Sequence, residues 1–142
     1  MGRSKSGLFL MELIIAITFF AVASAICIQL FAAAHTMSSR SIGIQMAVAN
    51  AQSAAESFKM TDGDMDTMAG LLGATLAEGR LVVEFDENWA PTASGRYRMV
   101  VEADFTIIPA AATIVVTDEA LERELYSITV RRYLRFMPEL RS

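Results

Sequence analysis

The sequence predicts an α+β chain: one long N-terminal α-helix, transmembrane in its first half, packed in its second half on a four-stranded antiparallel β-sheet. Three observations carry this. Residues Leu8 to Ala34 form an unbroken apolar run of 27. Ile44, Val48, Ala51, Ala55 and Phe58 then recur at spacings of four, three, four and three, one stripe of a helix. From Arg80 onward the apolar period changes to two, the period of a half-buried strand.

Composition bounds what the chain does. It has 142 residues, 12 basic against 16 acidic, with one His and one Cys. That is the length of one domain. A net charge of −4 gives no positive field for non-specific nucleic-acid binding, so no nucleic-acid partner is expected. A single Cys excludes an intramolecular disulfide, and one His beside it excludes a four-ligand Cys/His zinc site. An apolar share of 54% excludes a disordered chain.

The apolar run contains no Pro or Gly; Thr18, Ser24 and Gln29 are its notable polar residues and Glu12 its one ionisable group. A bilayer core of about 30 Å needs about 20 such residues as helix, so the run is long enough to span. Arg3 and Lys5 precede it and the next basic residue is Arg40. That asymmetry predicts a single-pass protein of the cytoplasmic membrane, N-terminus in and C-terminus out, in contact with membrane lipid. The run is too long for the core of a secretory signal, about 7–15 residues. Ile26 before Cys27 does not fit a lipoprotein signal. A plain signal anchor fits the length but leaves Glu12 unexplained, because a carboxylate in an apolar helix is costly. The bland alternative is that Glu12 snorkels to the interface.

The helix continues on its stripe to Lys59, about 78 Å from Leu8 at 1.5 Å per residue. Gly43 is the one Gly within it, a flex point or a tolerated helix glycine. Residues 61–79 read as a connector, opened by the turn Thr61-Asp62-Gly63-Asp64, with Asp66 capping a short helix through Leu72. Asp62, Asp64 and Asp66 alternate like the start of a calcium loop. Thr67 and Gly73 stand where that loop needs its glycine and its closing glutamate, so a solvated, capping loop is expected.

Four strands follow. Leu81, Val83 and Phe85 alternate with Val82, Glu84 and Asp86. Tyr97, Met99, Val101, Ala103, Phe105 and Ile107 form the inward set of the clearest strand. Pro109 separates it from Ala112–Thr117, and Asp118–Glu124 reads as a polar turn before Tyr126, Ile128, Val130 and Arg132. Turn-spaced strands of this kind make an antiparallel meander with one face on the helix stripe.

Catalytic motifs are missing. There is no Gly-rich phosphate loop, nucleophile elbow or paired metal-ligand motif, and no cofactor is expected. His35 falls at the end of the apolar run and Cys27 inside it, where it reads as a small hydrophobe. Arg131, Arg132, Arg135 and Arg141 form a basic cluster, with Glu102, Asp104, Glu119, Glu122 and Glu124 as expected cross-strand partners.

Gly7-Leu8-Phe9-Leu10-Met11-Glu12 resembles the prepilin processing site of the type IV pilin and type II secretion pseudopilin superfamily. A short basic leader ends in Gly, an apolar residue follows, and a Glu stands five positions past the cut at the head of a long apolar helix. The resemblance is detailed over roughly residues 1–59 and architectural beyond. It implies a pilin-like fold, cleavage between Gly7 and Leu8 by a membrane prepilin peptidase, and N-methylation of Leu8. It further implies assembly with other pilin or pseudopilin subunits on an inner-membrane platform, into a type IV pilus or a secretion or competence pseudopilus. Such a subunit is not an enzyme but the substrate of one. Glu12 is then the assembly residue, pairing with the Leu8 amine of a neighbouring subunit. Left unpaired in a water-poor core, each group would cost several kcal/mol. The run lacks the helix proline of many major pilins, and Cys27 alone cannot form their C-terminal disulfide, which points to a minor pilin or a pseudopilin. Residues 1–7 would be the leader, 8–34 the transmembrane and filament-core helix, 35–60 its amphipathic continuation, and 61–142 the connector and sheet domain. The rival reading, from another class, is a signal-anchored, single-pass extracytoplasmic binding module that does not polymerise.

Overall fold

The computed structural model describes residues 3–135. By internal contacts the chain divides into two units, Met1–Ser41 and Ile42–Ser142. A single helix, α1 (Arg3–Met60), runs through both. It is followed by α2 (Met65–Leu72) and by strands β1 (Thr75–Ala77), β2 (Arg80–Phe85), β3 (Pro91–Thr92), β4 (Tyr97–Asp104), β5 (Ala110–Asp118) and β6 (Arg123–Arg132).

The first unit is helix alone. With no Pro and, after Gly7, no Gly before residue 43, nothing interrupts the i→i−4 ladder. Two of its hydroxyls bond within the helix: Thr18 Oγ1 donates to the Ile14 carbonyl at 2.8 Å and Thr36 Oγ1 to the Ala32 carbonyl at 2.9 Å.

The second unit has the core. Ala47, Ala51, Ala54 and Phe58 of α1 are fully buried and Ala55 nearly so. Opposite them stand Leu81, Val83 and Phe85 of β2, Met99 and Val101 of β4, and Ala112, Ile114 and Val116 of β5. The buried face of α1 is made mainly of small residues. The expected stripe is turned: Ala47 and Ala54 join it, Val48 is half-buried, and Ile44 stays exposed.

Past Met60 the chain reverses through Asp62 and Gly63, both at positive φ, with Gly63 N–H donating to the Phe58 carbonyl at 3.1 Å. The N-cap of α2 is Asp64, not the expected Asp66: its carboxylate accepts from Asp66 N–H at 3.2 Å and from the Thr67 hydroxyl. That hydroxyl bond and two backbone N–H groups hold the Asp64 carboxyl below its usual range, against a smaller opposing effect of desolvation. Gly73 ends α2 in the left-handed conformation that a Cβ disfavours.

The sheet is antiparallel throughout, in the order β1-β2-β4-β5-β6, with β3 also pairing β2. It has six strands, not four. β1 and β3 carry three and two exposed residues and pair with opposite ends of β2, so no burial pattern marks them. β4 ends at Asp104 rather than at Ile107, because Asp104 turns its carboxylate onto Thr106 N–H at 2.8 Å and onto the Thr106 hydroxyl. Phe105 and Ile107 are consequently exposed, although Phe105 still reaches Phe58, with ring centroids 6.5 Å apart. β5 runs through Asp118 and β6 starts at Arg123, which shortens the expected polar turn to residues 119–122. A bulge lies between Val116 and Thr117, opposite Tyr126 and Glu124. β6 is the outermost strand on its side, whereas the other edge is broken into β1 and β3.

Two loops pin the end of this sheet. Trp89 stacks on Tyr97 at 4.1 Å between centroids, and Phe85 lies 5.7 Å from Trp89. Gly95 passes so close to β2 that a Cβ there would sit 2.2 Å from the Phe85 carbonyl oxygen. Its N–H donates to Glu84 Oε2 at 2.9 Å.

Candidate membrane and assembly segment

Gly7, Leu8 and Glu12 all lie in the first turns of α1. Leu8 and Glu12 are four residues apart, so they share one helix face about 6 Å apart along the axis. Leu8 is 70% exposed and Phe31, near the far end of the run, 79% exposed, and the large apolar residues between them are exposed on every side. A helix apolar all round needs an apolar surrounding. It is long and apolar enough to cross a membrane. Glu12 is exposed among these residues and makes no ion pair among the described residues. Cys27 and His35 are exposed on the same bare helix.

The acidic connector is used structurally. Asp64 caps α2, and Asp62 Oδ1 stands 2.8 Å from Arg132 Nη2, a charge contact off the angle of a hydrogen bond. Among the described residues, no three His, Cys, Asp or Glu side chains converge as a metal cage would need.

Among the described residues the basic cluster does not form a patch. Arg131 and Arg132 point to opposite faces of β6, Arg132 toward Asp62, while Arg135 is exposed and Arg141 lies outside the described residues. The cross-strand partners also differ from those expected. Glu102 pairs with Arg80 at 3.5 Å, and Arg98 bridges Glu84 at 2.9 Å and Glu119 at 3.4 Å. The Arg98 hydrogen bond, then Gly95 N–H, holds the Glu84 carboxyl below its usual range, and the same bond raises Arg98. Of these residues Arg80, Glu84 and Arg98 line a groove of about 500 Å³ with Thr75, Val82 and Thr92, on the sheet face away from α1. Within it Arg98 and Glu84 satisfy one another. A second hollow of about 390 Å³ opens between Asp62, Gly63, Met65, Phe105 and Leu134, and is mainly apolar. Sequence reasoning found neither: the first is made mainly by strands β1, β2 and β4 that meet only in the sheet, the second by residues distant in sequence.

No family model, curated protein or solved structure matches this chain. The chain offers a bare apolar helix with one carboxylate near its start, joined in sequence to a packed α+β unit.

Proposed function

We propose that the chain is a prepilin-like structural subunit, cut after Gly7 by a prepilin peptidase and assembled into a type IV pilus or a secretion or competence pseudopilus. The carrying observation is Glu12: one ionisable group in 27 apolar positions, five residues past a Gly that closes a basic leader. A carboxylate so placed needs a counter-charge. Cleavage before Leu8 creates one, an amine at the head of the same helix, and a neighbouring subunit presents it in a water-poor helix bundle. The apolar surface of α1 then supplies adhesion while the ion pair sets axial register. On this reading the cut subunit rests in the cytoplasmic membrane with its sheet domain outside until the assembly platform extracts it. Methylation of the Leu8 amine keeps the positive charge.

Glu12→Ala separates this from a non-polymerising anchored module. Insertion and cleavage at Leu8 should survive, because the change removes a charge from lipid. Incorporation into sheared filaments, and crosslinking to other pilin subunits, should fail, and Glu12→Gln should fail nearly as badly. Wild-type chain absent from every filament fraction and crosslinked complex would establish the anchored module instead. Glu12→Ala incorporated at the wild-type level would make Glu12 a snorkelling side chain.

A further inference from the structure

α1 has two kinds of support and a gap between them. From Ala47 onward its inner side is locked into the core. From Leu8 to Ala34 it is apolar all round, and a helix covered by lipid or detergent tails resists opening because freed N–H and C=O groups find no water there. Between the two lie residues 36–46, exposed throughout except at Gly43. A stretch of this length is below what an isolated helix needs to persist in water.

Its sequence is also poor in helix formers. Ser38, Ser39 and Ser41 offer the backbone competing hydrogen bonds, and Gly43 has the largest backbone entropy to lose. Gly43 serves no close approach, for a Cβ there meets nothing within 4 Å, and its φ is not positive. What the glycine adds is softness. The division of the chain into two units by internal contacts falls between Ser41 and Ile42, inside the same turn.

We infer that α1 carries a soft turn at Ser38–Gly43 that opens while the helix on both sides stays intact. Opening exposes the backbone groups of that turn to water and leaves two shorter helices, each held by its own surroundings. The device needs only an apolar cover on Leu8–Ala34, so it stands or falls apart from filament assembly.

Amide hydrogen exchange on the full chain in detergent micelles tests it. Amides of residues 38–47 should exchange about a hundred-fold or more faster than those of 14–30 and 51–58. Replacing Ser38, Ser39, Ser41 and Gly43 together by Ala should slow exchange at that turn by about fifty-fold. Exchange at 51–58 should not change, which shows that the packed unit is intact. Uniform protection from 14 to 58 overturns the inference, as does a fourfold variant that exchanges like wild type.

Discussion

Arg96 grips Asp118 across the ends of β4 and β5, with Nη2 3.1 Å from Oδ2 and Nε 3.3 Å from Oδ1. The Asp118 side chain is only 3% exposed, and Ala120 N–H, at 3.1 Å, is its other partner. Arg96→Ala would leave a buried carboxylate with one N–H and no cation. Because Arg96 itself is partly exposed, the expected loss is about 2 kcal/mol, below the range for fully buried pairs. Asp118→Asn, which retains an acceptor and carries no charge to strand, should cost less. Thermal unfolding of the two variants checks the order.

Val101 faces α1 with no exposure, whereas Val100, next to it on β4, is half-buried on the opposite face. Val101→Asp should therefore destabilise by about 2 kcal/mol or more beyond Val100→Asp. Coincident melting curves would mean that the two faces of β4 are misassigned.

Glu84 makes a pH-dependent contribution. Its carboxyl titrates below the ordinary 4.5 in the folded chain, because Arg98 and Gly95 N–H bind the charged form. A depressed folded pKa stabilises above the unfolded value, and that stabilisation fades as pH falls through the folded one. Wild type should therefore lose more stability than Glu84→Gln as pH drops below about 4.5. Parallel curves for the two proteins in acid would refute the linkage.

Processing yields a mass. If the cut falls after Gly7, the membrane-extracted protein starts at Leu8 and holds 135 residues, the 142 of the chain less the seven of the leader. N-terminal sequencing reads it directly, and an intact leader in cells with an active prepilin peptidase counts against the proposal. A reporter fused after Ser142 should be active outside the cytoplasm.

Legibility in the sequence followed burial. β4 was readable from Tyr97 to Val101 because one face is wholly buried and the other is not. β1 and β3 bury nothing, so only their partner β2 defines them. Ile44 stood at the head of the expected stripe by its spacing, yet the helix face that is buried runs through Ala47 and Ala54 instead. Phe105 and Ile107 kept the strand's period, but a local carboxylate–backbone bond at Asp104 outweighed it. The segment Gly7–Glu12 was legible as chemistry at fixed offsets, whereas the groove beside Arg98 depends on the pairing of β1, β2 and β4.

The exposed edge of β6 has a consequence for how the protein behaves when crowded. Its middle, Leu125–Val130, is six uncharged residues rich in β-branched and aromatic side chains, with no Pro or Gly, the composition that stacks chain upon chain. Arg123 and Glu124 stand at one end of it and Arg131 and Arg132 at the other. Charges flanking such a window act as gatekeepers: a second strand adding to the edge in register would bring like charges together at both ends. Among the described residues β6 is the outermost strand, and its charged ends disfavour stacking of chain upon chain along it.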